Sequence, residues 1–281
     1  DNTQKIPGFG IAAPVLSAST VADTLKNNKK PLTFGIAPQH AAAREAEMWL
    51  PVLDALSATL GVEIRFRTDP DMRTFALKIE HGMYDIVFVN PQHYSNLLDA
   101  GTYVGLVTDV SRPLVGLIVA KRDSGIGALG QLAGREVCLA GKEFFGAAQL
   151  PMRALAAAGV KHSVRYVGSH ESVYRLVAEG ECVAGGGTSR TLSITPTNLR
   201  HALAVVWQSP PYPNHVIAAN ARMALGMRTR LTAALLAMDT KPKQRLMLNE
   251  AGLQGLAPVD DQHYVTVRPS MTAERGHALT P

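Results

Sequence analysis

From Pro31 onward the hydrophobic positions switch repeatedly between short apolar runs and a helical spacing. "LTFGIAP" reads as a strand that Pro38 closes. Between Ala41 and Leu60, Trp49, Val52, Leu53, Leu56 and Leu60 recur at helical spacing, and Gly61 supplies the stop. Pro51 falls inside that pattern, where proline removes a backbone hydrogen bond, so a kink or a restart of the helix is expected. "VEIRFRT" alternates as a strand does. Asp69 and Asp71 are candidate N-caps for a helix through Phe75, Leu77 and Ile79 that ends at Gly82. "YDIVFVN" is the next strand, which completes β-α-β-α-β, the order of a mostly parallel sheet covered by helices.

The same order then repeats. "REVCLAG" is a strand, Phe145 to Ala158 a helix ended by Gly159, and "HSVRYVG" a strand. "SHESVYRLVAEG" is a helix with Ser169 as N-cap and Glu171 near the positive end of its dipole, and "CVAGGG" is the third strand. Laying "FALKIEHGMYDIVFVN" over "VYRLVAEGECVAGGG" aligns Gly82 with Gly180, so two similar α/β lobes are expected. "PLVGLIVAKRD" can cross from one lobe to the other. "ALAVVWQSPPYPNHVIAAN" can return, with Pro210, Pro211 and Pro213 at the bend. From Arg222 the pattern is helical through Leu231, Leu235 and Met238, then loop-rich. The expected division is a leader or tether over 1–30, a discontinuous first lobe over 31–116 and 211–281, and a second lobe over 117–210, with a cleft between the lobes.

Ligands of open parallel sheets bind beyond the carboxyl ends of the strands. Residues at those ends are therefore candidates: Gln39 and His40 after the first strand, His93 and Tyr94 after "YDIVFVN", and Phe145 in "GKEFFGAA". The second lobe adds Ser169 and His170, the backbone of Gly185, Gly186 and Gly187, and Arg190. Tyr212 and His215 near the return crossing are weaker candidates. Pro91 would stop the strand and release "NPQHYS" onto the cleft floor. The triple glycine serves either close packing of strand on helix or unhindered approach of backbone N–H groups to an anion. Arg190 is either a surface arginine or a clamp on an oxyanion.

Composition narrows the function. The 281 residues suffice for two domains, and 46% apolar with 18% charged residues fits a packed globule. No apolar run is long enough to span a bilayer. The formal charge is +5, but the 28 basic residues are scattered without an arginine-rich tract, which argues against nucleic acid and leaves an anionic small ligand. Cys138 and Cys182 lack zinc or CxxC spacing; they form one disulfide if the protein is exported, or are two small buried hydrophobes. The polar, small-residue-rich stretch before Lys30 reads as a mature leader from which a signal peptide has been removed. GxSxG, HExxH, P-loop and GxGxxG motifs are missing, so neither an enzyme nor a metal or other cofactor is expected.

Several stretches carry a family resemblance. "LTFGIAPQ" with "WLPVLDALSATLG", "GMYDIVFVNPQHY", "LVGLIVAKRDSGI" followed by "GREV", "AAQLPMRALAAAGV", and "SHESVYRLVAEG" with "AGGG" resemble, in order and spacing, the periplasmic phosphate/phosphite/phosphonate-binding proteins of ABC transporters. The resemblance runs from about Leu32 to Leu253. It implies a type II periplasmic-binding-protein fold, export to the periplasm, a monomer without catalytic activity, and a small oxyanion closed between lobes by a hinge. An ABC permease is the implied partner. The alternative is a sensor that reports oxyanion occupancy to a membrane histidine kinase. Tyr94 with His93 keeps the family's first-lobe half. The second-lobe loop departs from it: where relatives carry hydroxyls, this chain has Lys142-Glu143-Phe144-Phe145-Gly146-Ala147-Ala148. That puts an ordinary phosphonate in question and leaves arsenic or sulfur oxyanions open.

Overall fold

The structure, a computed structural model, describes residues 30–267; the leader expected over 1–30 lies outside the described residues except for Lys30. The chain begins with β1 (Leu32–Ile36), α1 (Ala42–Leu60), β2 (Ile64–Arg67), α2 (Met72–Glu80), β3 (Ile86–Val89), α3 (Pro91–Ala100) and β4 (Tyr103–Asp109). A second unit follows with β5 (Gly116–Lys121), β6 (Glu136–Leu139), a π-helical turn (Phe145–Gln149) continuing into α4 (Leu150–Ala157), β7 (Ser163–Tyr166), α5 (His170–Glu179) and β8 (Ala184–Thr188). Then come α6 (Ser189–Ser193), α7 (Thr197–His201), β9 (Leu203–Gln208), β10 (Val216–Asn220), α8 (Leu225–Thr240), α9 (Pro242–Glu250), β11 (Leu256–Pro258) and α10 (Gln262–Val265).

These elements make two lobes, each with one sheet. The first sheet has the order β11-β4-β10-β3-β1-β2 and the second β7-β6-β8-β5-β9. Both are mixed, which corrects the expectation of mostly parallel sheets. β1 pairs parallel with β2 and β3, and β6 parallel with β7 and β8. The crossing strands run the other way: β10 is antiparallel to β3 and β4, and β5 is antiparallel to β8 and β9. Each enters its sheet from the other lobe and so reverses direction.

Local chemistry fixes the element ends. Gly61, at φ 63°, closes α1 with its N–H bonded to Ser57 O. Asp71 caps α2 by accepting from Thr74 N at 2.7 Å. Asp69 is instead buried, where it accepts from the Tyr84 hydroxyl at 2.5 Å and pairs with Lys78. The restart expected at Pro51 is absent: α1 is one helix, with Pro51 exposed, so the proline ring and the hydrogen bond it cannot make face solvent. "NPQHYS" is not a released loop either. Asn90 Oδ1 accepts from His93 N at 2.8 Å and Pro91 occupies the first helical position, so the strand passes straight into α3. The expected loop-rich end contains α9, β11 and α10.

In β3, Ile86 and Phe88 face α1 and α8, while Val87 and Val89 face the opposite core with Phe75 and Tyr94. Trp49 of α1 lies 5.4 Å from Phe34 and 4.7 Å from Phe88, ring centre to ring centre. The triple glycine is a packing device. A Cβ on Gly185, Gly186 or Gly187 would stand 2.4 Å from Val173, 2.0 Å from the Ala147 carbonyl oxygen or 2.0 Å from the Tyr174 hydroxyl. Only bare backbone lets α5 and the π turn approach β8 so closely.

Cys138 and Cys182 are joined, with Cα atoms 6.0 Å apart across 44 positions of sequence. Closing a loop of that length removes unfolded-state entropy equivalent to about 4 kcal/mol. The Cys138→Ser/Cys182→Ser protein should lose about that much stability in urea unfolding of the second lobe; an unchanged midpoint and slope would contradict it.

Candidate functional site

A cavity of about 640 Å³ lies between the lobes. The first lobe presents Gln39 and His40 from the β1–α1 turn, Asn90 from the end of β3, His215 from the return crossing and Gly252 after α9. The second lobe presents Phe144 to Ala147 from the π turn, His170 and Glu171 from the start of α5, and Thr188, Arg190 and Thr191 from the β8–α6 junction. Most of these stand where a strand's carboxyl end meets the next element.

The floor is held by buried polar groups. Glu45 Oε1 accepts from the backbone N–H groups of Gln39 at 3.1 Å and His40 at 3.0 Å, which fixes the turn that carries both side chains. Burial pushes the Glu45 carboxyl up, against the opposing pull of His40. Gln39 Nε2 lies 2.8 Å from His215 Nε2. An amide nitrogen can only donate, so His215 Nε2 accepts and the proton of the neutral ring sits on Nδ1. That buried N–H has no partner among the described residues, and neither do the buried Nδ1 atoms of His93 and His170. Burial lowers His93 and His170 to about 4; burial, with Arg190 and the other two histidines, lowers His215 to about 3. All three rings are neutral at pH 7.

Arg190 supplies the cation. Burial lowers it, but Asp109 and Glu45 of the other lobe oppose that shift, and a guanidinium keeps its proton. Its Nη2 donates to Ala251 O at 3.2 Å, across the cleft. The guanidinium lies over Gly252, where an added Cβ would stand 1.5 Å from Nη2 and where φ is +81°. Arg190 can hold this place only with the lobes together. Other pairs span the same gap: His40 Nδ1 with Glu171 Oε1 at 3.1 Å, Asn90 Nδ2 with Glu143 O at 3.4 Å, and Arg153 Nη2 with Gln92 Oε1 at 3.3 Å. The hydrogen bond from His40 holds the Glu171 carboxyl down at about 2. The structure is a closed form.

The hydroxyls missing from "GKEFFGAA" appear on the facing element. Thr188 Oγ1 accepts from Thr191 N at 3.1 Å, Thr188 N donates to Thr191 Oγ1 at 3.0 Å, and the Tyr174 hydroxyl lies 2.6 Å from Thr191 Oγ1. Across from them, the amides of Ala148 and Gln149 both reach Phe144 O, so those of Phe145, Gly146 and Ala147 are the ones left without an acceptor inside the helix.

Of the residues singled out from sequence, the structure brings Gln39, His40, Phe145, His170 and Arg190 to the cavity wall, with His215. His93 lies in the first turn of α3 and acts electrostatically on His215. The others serve elsewhere. The Tyr94 hydroxyl donates to Asp261 at 2.7 Å and accepts from Gly105 N at 2.9 Å; Ser169 caps α5. Gly186 and Gly187 lie within the second sheet, and Tyr212 packs edge-on against Phe145 with ring centres 5.3 Å apart. Thr188, Thr191 and Gly252 also line the cavity and were not singled out from sequence; Asn90 was included only within "NPQHYS". Asn90 carried a signal as the residue before a helix-starting proline; Gly252 looked like a helix stop.

The three histidines set a pH dependence. Their folded pKa values lie below the ordinary value, so the unfolded chain binds protons more readily between about pH 6.5 and 4. Stability therefore falls as pH drops through that window, by about 1.4 kcal/mol per pH unit for each ring kept neutral. His170→Asn should flatten the slope of unfolding free energy against pH; an identical slope would contradict the assignment.

A family described as ABC transporter, phosphonate, periplasmic substrate-binding protein matches residues 34–264. A Xanthomonas citri protein solved with a chloride ion has the same fold at TM-score 0.74 and 21% identity, over 88% of this chain and 99% of that one. A binding-protein component of an ABC phosphonate transporter from Pseudomonas aeruginosa matches at 0.76 and 16%, over 86% and 85%. PhnD1 from Prochlorococcus marinus, in complex with methylphosphonate, also matches at 0.76 and 16%, over 85% and 96%. The chain belongs to the periplasmic substrate-binding proteins of phosphonate ABC transporters.

Proposed function

We propose that this protein captures an oxyanion of the phosphonate type between its lobes in the periplasm and delivers it, without chemical change, to an ABC permease. The observation that carries the reading is the grouping of Arg190 with unpartnered buried imidazole nitrogens and free helix-start amides around one interlobe cavity. A buried donor without an acceptor is costly, and an anion oxygen satisfies it. The residues proposed to hold the anion are Arg190, His170, His215, Gln39 and Thr188, with the amides of Phe145, Gly146 and Ala147 at the positive end of their helix. Neutral imidazoles act as hydrogen-bond donors here, and the charge comes from Arg190.

Arg190 also links binding to closure. Its acceptor at Ala251 and the carboxylates that stabilise it belong to the first lobe, while its backbone belongs to the second. A ligand that favours this placement shifts the population toward the closed form by its preference for that form. The protein acts as a monomer that presents its closed shape to the permease.

Arg190→Ala should weaken methylphosphonate binding, measured calorimetrically, by about 2–5 kcal/mol; unchanged affinity would remove Arg190 from the site. Gly252→Ala should weaken it less, and should add nothing in the Arg190→Ala background, because its effect passes through that guanidinium. Additive losses would contradict the coupling.

A further inference from the structure

The cavity is far larger than the anion it is proposed to hold. A tetrahedral oxyanion needs about two waters' worth of space, roughly 60 Å³ at the liquid's share per molecule. The cavity offers about 640 Å³, within the roughly 300–1,000 Å³ of sites for organic ligands. Its wall carries both kinds of group. Polar Gln39, His215 and Arg190 share the lining with apolar Met48, Leu114, Phe144 and Phe145, with Ile194 at the C-terminal cap of α6, and with Leu199 of α7. Ile194 is 63% exposed, a large aliphatic side chain left open to the same cavity.

The charges point to a single anionic head. Arg44 and Arg175 also line the cavity, but Arg44 pairs with Glu47 at 3.5 Å and Arg175 with Glu179 at 3.2 Å. Arg190 donates to a carbonyl, and no ion pair to a carboxylate is made by it among the described residues. One guanidinium matches one oxyanion head rather than a chain of phosphates. The remaining volume then needs an uncharged occupant, and aromatic and aliphatic walls favour an apolar one.

Resting on the reading above, we infer that the ligand is a single-headed organo-oxyanion whose substituent is apolar and of ring size, with the head at Arg190 and the ring against Phe144, Leu114 and Ile194. Such a substituent covers the open face of Ile194 and replaces the water that a bare anion would leave along the phenylalanines. Specificity then lies in the substituent: the head is held by groups that any tetrahedral oxyanion can use, and the ring selects among them.

The test is calorimetric titration of the full chain with phosphate, methylphosphonate and phenylphosphonate at pH 7, on the wild type, Ile194→Ala and Arg190→Ala. Phenylphosphonate is expected to bind at least about tenfold more tightly than methylphosphonate, since each buried methylene-sized increment contributes about half to one order of magnitude. Ile194→Ala is expected to narrow the phenyl-to-methyl ratio several-fold. Methylphosphonate or phosphate binding as tightly as phenylphosphonate would overturn the inference and leave the oxyanion reading intact. A phenyl preference with a ratio unchanged in Ile194→Ala would overturn the placement of the ring. Binding of none of the three, or binding indifferent to Arg190→Ala, would overturn the oxyanion reading and this inference with it.

Discussion

Each sheet depends on a strand that arrives from the other lobe. β10 is inserted between β3 and β4, and β5 between β8 and β9, each antiparallel to its neighbours. Without β10 the first sheet would break in two, because β4 and β11 reach β3 only through it. The crossings therefore make the lobes folding partners while leaving a gap between them. They also deliver the site: β4 ends at Asp109 before the first crossing, and the second carries His215 into the cavity floor just before β10.

The gap is polar in a particular way. Burial holds His170 and His215 neutral, and the charge of Arg190 is favoured electrostatically by two carboxylates of the opposite lobe. A site built from charged imidazoles would pay a heavy desolvation cost when empty. Neutral donors around one guanidinium reduce that cost and still offer an anion several hydrogen bonds. The close approach of α5 and the π turn to β8, allowed by three consecutive glycines, sets the second-lobe half of this wall at the required distance.

Much of this was legible in the sequence. The alternation of apolar runs with helical spacing gave the two lobes, and Ser169, Asp71 and Gly61 marked element ends by local hydrogen-bond chemistry. The rule of strand carboxyl ends led to Gln39, His40, His170 and Arg190. What escaped was long-range. The antiparallel insertion of β10 has no local signature, since pairing is set by partners distant in sequence. Helix α9 buries only Leu248, too little for an apolar stripe to show. Tyr94 looked like a ligand because it follows a strand, yet its hydroxyl is consumed by Asp261 and Gly105. Gly252 and Arg190 lie far apart in sequence, so the glycine's role is visible only in three dimensions.

In the proposed function, an oxyanion between the lobes holds them together. Small-angle X-ray scattering of the protein with and without saturating methylphosphonate tests it most directly. A smaller radius of gyration is expected with ligand, and no such compaction in Arg190→Ala at matched occupancy. A radius that stays constant while calorimetry shows saturation would contradict it, because the anion would then bind without drawing the lobes closed.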